Sequence, residues 1–170
     1  MYKLLYATAV SCCICAAAVG AMATPATGGD LKITASGGDQ TTAASGGDLE
    51  ITVEGISDDK GNVMVALHDE SGMEGFPGAN GAIAAQWVRA ARGSKRFVFL
   101  DLSPGQYAVA VFHDENDNSE LDTNILGIPT EGTGFSRNAQ GNFGPPSFHD
   151  AAVEISADSG TTRTTATLAY

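Results

Sequence analysis

Period-two alternation of apolar residues is the pattern that most constrains this chain. In LEITVEG, Leu49, Ile51 and Val53 alternate with Glu50, Thr52 and Glu54. Such a segment buries one face and wets the other only as a β-strand. NVMVALH (62–68) and YAVAVFH (107–113) are apolar on both faces. They predict central strands covered from both sides. Phe97–Leu102, Phe148–Ser156 and Thr161–Ala169 add three more strands. Residues 82–92 fit either a helix through Ile83, Trp87 and Ala91 or a strand; the strand is preferred, in a hairpin with Lys95–Leu100. Gly and Pro punctuate the gaps, as in Ser103-Pro104-Gly105-Gln106. The expectation is all-β: a seven-stranded antiparallel sandwich with one long Gly/Pro-rich loop. An outer-membrane barrel is the weaker alternative, because these strands are short and lack aromatic girdles.

The N-terminus reads as a processing signal. Lys3 precedes an apolar run from Leu4 to Val19, and Ala21-Met22-Ala23 is an A-x-A cleavage site. The predicted domains are a signal peptide (1–23), a Gly/Thr/Ala-rich spacer (24–48) and the sandwich (49–170). The run is short for a membrane span. The expected location is periplasmic or extracellular, and a lipobox at Cys12 is the weaker reading. All three cysteines lie inside the signal. The exported part then has neither disulfides nor thiol chemistry. One of the nine Lys and Arg is Lys3, and all twenty Asp and Glu follow Thr24, which leaves a net charge of −12 beyond the signal. Such a surface disfavours nucleic acid and anionic lipid. The spacer repeats a nonapeptide: GGDLKITAS, GGDQTTAAS, then GGDLEITVE, whose last copy runs into the first strand. The first two copies read as a flexible linker.

Between the strands ending at His113 and starting at Phe148 lie 34 residues without a clear period. A stretch this long in a small domain is functional or disordered. Ile125, Leu126, Ile128, Phe135 and Phe143 favour a loop packed on the sandwich. The loop opens with HDENDNSELDTN. Asp114, Asn116, Asn118, Glu120 and Asp122 place an oxygen-bearing side chain at positions 1, 3, 5, 7 and 9. That spacing suits calcium, which takes six to eight oxygens. Ser119 stands where an EF-hand has glycine, Ile125 where it has glutamate, and no helices flank the loop. The motif is a calcium loop on a β-scaffold or, equally, a polar turn whose Asx side chains bond their own backbone. His68, His113 and His149 each precede an aspartate. His68 and His113 both end central strands and could meet, but without His-x-His or His-x₃-His spacing zinc is the weaker reading.

The stretch HDENDNSELDTNILGIPTEGTGFSRNAQGNFGPPSFHDA resembles an uncharacterised family of exported bacterial proteins, a domain of unknown function. The family signature is H-D-x-N-x-N-G-x-L-D-T-N, G-I-P-x-E-G-x-G-F-S-x-N-A and F-G-P-P-S-F-x-D-A. The resemblance implies that His113, Asp114, Asn116, Asn118, Asp122, Asn124, Glu131, Phe135, Ser136, Asn138 and Phe148 belong to the signature. Ser119 departs from the family's glycine. LSPGQYAVAV resembles the turn and strand of transthyretin-like and other Ig-like sandwiches.

The leading expectation is an exported binding or structural module with a calcium loop at 114–122. One alternative is an extracytoplasmic hydrolase using Glu131 and the His113 region. Another is a metal-free module that binds protein through Phe135, Phe143 and Phe148. An envelope protein or glycan is the expected class of partner.

Overall fold

The computed structural model describes residues 46–157 and 159–170. The signal, spacer residues 24–45 and with them the first two nonapeptide copies lie outside them. The third copy, 46–54, runs into β1, which takes in the last two residues of the expected spacer.

The described residues form eight strands in two sheets. β1 (Gly47–Ile56) lies between β4 (Gly93–Leu102) and β8 (Gly160–Thr167). The second sheet runs β3 (Ala82–Arg89), β2 (Asn62–Asp69), β5 (Gly105–Asp114), β6 (Thr133–Phe135). β7 (Val153–Ile155) pairs with the start of β5, on the stretch of that strand below β6. The core is the layer between the sheets. Leu49, Ile51 and Val53 from β1 and Val63, Val65, Leu67 and Val109 from β2 and β5 are wholly buried there. Opposite-strand pairing sets Leu49 beside Phe99 and Ile51 beside Phe97. Each of these side chains stabilises the fold by roughly 1.5–3 kcal/mol relative to exposure.

Four features depart from expectation. First, β6 is an additional strand, so there are eight and not seven. Second, the sandwich is not wholly antiparallel: β8 runs parallel to β1, Gly47 against Gly160 through Glu54 against Thr167. Third, β3 is a strand, but its partner is β2 and not β4. Period two fixes that a segment is extended, not which neighbour it takes. Fourth, residues 148–151 of the expected sixth strand are a helical turn, α1 (Phe148–Ala151). Its cap explains why: the Ser147 hydroxyl accepts the Asp150 N–H, while the Asp150 carboxylate accepts the Ser147 N–H at 3.1 Å. This reciprocal box nucleates a turn against the β propensity of its neighbours.

β2 and β5 are apolar on both faces because a second layer covers the outer one. Ala108, Phe148 and Ala151 are buried there, with Phe76, Phe135 and Ala139 packed on them. Tyr107 is the third residue of β5, and its hydroxyl donates to the Ser103 carbonyl at 2.9 Å, which ties the strand to the turn before it.

Candidate functional site

Asp114 is the last residue of β5, and its side chain is wholly buried. The strand ends there because its carboxylate turns the chain back. One oxygen accepts the Asn118 N–H at 3.1 Å and the other the Ser119 N–H at 2.9 Å. The Asn116 side-chain oxygen also accepts the Asn118 N–H (3.0 Å), and the Asn118 oxygen accepts the Glu120 N–H (2.8 Å). Two residues in this tight coil are left-handed, Asp117 and Ser119, each at φ 60°. Ser119 therefore adopts the conformation that glycine supplies at the sixth position of a calcium loop.

The side chains of Asn116 and Asn118 converge on Asp122. Their amide nitrogens donate to its two oxygens, at 2.6 and 3.2 Å. The Glu120 side chain makes no hydrogen bond or ion pair among the described residues. Asp117 faces away, onto Arg89 (3.0 Å) and Asn62. Four of the five expected ligands thus sit in one coil, two of them carboxylates. Among the described residues, no three His, Cys, Asp or Glu side chains gather closely enough to hold a metal ion by themselves.

Glu131 closes the coil from nine residues beyond Asp122. One carboxylate oxygen accepts the Glu115 N–H and the other the Asp122 N–H, both at 3.0 Å. Glu131 is 5% exposed. Burial raises its carboxyl above the ordinary value; Asp122 and Asp114 push the same way, against the two N–H bonds that favour the charge. Asp122 is also the base of a narrow hairpin, because its carbonyl accepts the Thr130 N–H at 2.9 Å. The acidic coil and the hairpin are one unit clamped at Glu131.

His113 is wholly buried and fully engaged. Its Nε2 lies 2.8 Å from the Lys60 carbonyl and its Nδ1 2.8 Å from the Tyr170 hydroxyl. A carbonyl only accepts, so Nε2 carries the proton and Nδ1 accepts from Tyr170. That hydroxyl in turn accepts the Ser57 N–H at 3.0 Å. The Tyr170 ring lies over Gly132, where a Cβ would come within 2.5 Å of it. Sequence reasoning missed Tyr170, because nothing in a single terminal aromatic tells of a partner 57 residues away.

His113 and Glu131 are therefore internal fasteners, not groups presented to a substrate. Ser136 is another. Its hydroxyl accepts the Val109 N–H at 2.9 Å and donates to the Ala151 carbonyl at 2.6 Å, with no exposure. The Asn138 side chain accepts the Thr167 N–H at 2.8 Å, which ties the loop to β8. The protein-binding reading is corrected in part. Phe148 is buried and Phe135 packs beside Phe76 in the outer layer; of the three phenylalanines only Phe143 is exposed. The expectation that Ile125, Leu126 and Ile128 pack on the sandwich is also corrected: all three are exposed.

The histidines do not assemble. His113 pairs opposite Val63 and His68 opposite Ala108. Antiparallel pairing puts them five positions apart along β5, about 17 Å. Like His113, His68 is wholly buried, yet neither of its ring nitrogens makes a hydrogen bond among the described residues. Burial lowers its pKa. An open cleft of about 300 Å³ between residues 69–71 and 103–107 contains none of the expected site residues.

No helix among the described residues is long and apolar enough to cross a membrane. The model of a family described as "Uncharacterized protein conserved in bacteria (DUF2141)" matches residues 51–164, and the chain belongs to that family. No curated protein and no solved structure matches the chain.

Proposed function

We propose that this family member is an exported binding or structural module whose 114–122 coil takes up one calcium ion. Asp114, Asn116, Asn118 and Asp122 would hold it, with Glu120 completing the oxygen shell. The observation that carries the reading is the convergence of the Asn116 and Asn118 side chains on Asp122. A half-turn of each amide turns two donors facing a carboxylate into two further ligands, at the cost of the bonds that their oxygens now accept from the Asn118 and Glu120 N–H groups. The left-handed Ser119 supports it further, because its N–H holds the Asp114 carboxylate in place before any cation arrives. The ion would offset the charge of Asp114, Asp122 and Glu131, and so would stiffen the base of the 122–130 hairpin. Its chemistry there is structural: it neutralises charge and fixes a loop.

Export supplies the setting. Extracytoplasmic calcium fills sites with Kd of about 10⁻⁴–10⁻³ M. At 10 mM calcium and a Kd of about 1 mM, binding stabilises the fold by about 1.4 kcal/mol. That raises the melting temperature by roughly 5 °C for a domain of this size. Thermal melts with calcium and with chelator read it directly. Asp122→Asn should abolish the difference while keeping the baseline. Asp114→Ala should abolish it too, but with a lower baseline, because the Ser119 N–H loses its acceptor and the Asn118 N–H one of two. Equal melts in calcium and chelator would sink the reading.

A further inference from the structure

The hairpin that grows from the acidic coil ends in a tip with an unusual surface. Ile125 is 102% exposed, Leu126 77% and Ile128 56%. These three aliphatic side chains sit around one tight turn and touch no core. Large apolar groups held this far into water have a use elsewhere.

The backbone of the tip is closed on itself. The Asn124 side-chain oxygen accepts the N–H of Leu126 (2.9 Å) and of Ile128 (3.1 Å), and the Asn124 carbonyl accepts the N–H of Gly127 at 2.9 Å. The Asn124 N–H goes to the Ile128 carbonyl at 2.9 Å. Gly127, at φ 76°, lets the chain turn this tightly. A peptide loop that docks in a protein pocket gains from N–H groups it can offer to its partner. This turn has spent four of its five N–H groups internally, all but that of Ile125, which suits a medium that has nothing to accept them. The side chains argue the same way. Protein hot spots favour Trp, Tyr and Arg and are poor in Leu, whereas a purely aliphatic tip displayed radially suits an isotropic apolar phase.

Charge selects the surface. Glu115, Asp122 and Glu131 meet at the base of the hairpin, and the chain beyond the signal is strongly acidic. An anionic bilayer would repel that base. We propose that the 125–128 tip is a docking wedge for a zwitterionic phospholipid bilayer and enters the headgroup–acyl boundary. Three aliphatic side chains give weak, reversible attachment, comparable to a single lipid anchor. The proposal does not need calcium in the coil.

Flotation tests it. The exported, processed protein is mixed with phosphatidylcholine vesicles in chelator and spun through a density gradient. The wild-type protein should rise with the vesicles. Leu126→Ser combined with Ile128→Ser should lower partition by at least about tenfold. Leu100→Ser removes a similarly exposed side chain (65%) from the other sheet and should change nothing. Replacing a third of the lipid with phosphatidylglycerol should weaken partition at low salt and less so at high salt. A wild-type protein that stays in the aqueous fraction overturns the proposal, as does a double variant that floats like the wild type. Tighter binding to the anionic vesicles in chelator overturns the choice of surface. Loss in the double variant of a cross-link to an envelope protein, with no flotation of the wild type, assigns the tip to a protein pocket instead.

Discussion

His68 and His113 stand on neighbouring strands, both wholly buried and both followed by aspartate, yet the two ends of the sheet treat them in opposite ways. At the His113 end, one imidazole is the centre of a chain of hydrogen bonds from Ser57 through Tyr170 to the Lys60 carbonyl. At the His68 end, an imidazole of the same size lies edge-on to Phe76 at 5.2 Å, with neither nitrogen hydrogen-bonded among the described residues. The register explains the difference. His113 faces the layer between the sheets, where the β1–β2 turn and Tyr170 bring backbone carbonyl and hydroxyl within reach. His68 faces the outer layer, which is built from phenylalanine and alanine. A polar group is stabilising where the fold supplies partners and costly where it does not.

The same substitution at both ends should therefore act with opposite sign. His113→Leu removes the partner of Lys60 and Tyr170 inside the core and should cost about 2–4 kcal/mol. Urea unfolding should show this as a lower midpoint with an unchanged slope. A loss below about 0.5 kcal/mol would mean that the Tyr170 lock is not formed in solution.

His68→Leu should stabilise by about 1 kcal/mol, because it removes two unpaired polar atoms and keeps a similar volume. It should also change the response to acid. Burial depresses the His68 pKa in the folded state below the ordinary 6.5, so the unfolded chain takes up the proton first. The stability that the neutral ring contributes is fully present above pH 6.5 and is lost as pH falls through the folded value. The Gly72 backbone and Asp69 both favour the charged ring but are outweighed by burial. The difference in stability between wild type and His68→Leu should widen as pH drops from 7.5 to 5. A constant difference would show that His68 finds a partner or water in solution.

Much of this fold was legible in the sequence, and the illegible parts have physical reasons. Alternation in β1 and the doubly apolar β2 and β5 identified the strands and their central place. Alternation could not choose β2 over β4 as the partner of β3, nor detect the parallel β8, since pairing is decided by the whole core. Composition identified 114–147 as special, but it suggested that Ile125, Leu126 and Ile128 pack inward. A turn closed by Asn124 points them outward, and no count of apolar residues carries direction. The signature residues Ser136, Asn138 and Glu131 were legible as important but not as fasteners. Their partners at 109, 167 and 115 are distant in sequence. The ligand-type spacing of the acidic coil was legible, because it is local.

The smallest effect lies in that coil and separates its two roles. Ser119 holds φ 60° without being glycine. A left-handed residue with a Cβ costs roughly 1–2 kcal/mol, while glycine costs about 0.5–1 kcal/mol more entropy on folding. Ser119→Gly should thus raise stability by no more than about 1 kcal/mol. If the coil is only a turn cap, that gain should be the same with and without calcium. If the coil holds an ion, glycine should also ease closure around it, and the calcium-dependent rise in melting temperature should grow. A calcium response unchanged by Ser119→Gly, beside one abolished by Asp122→Asn, would place the strain outside the binding step and leave the carboxylate as its sole determinant.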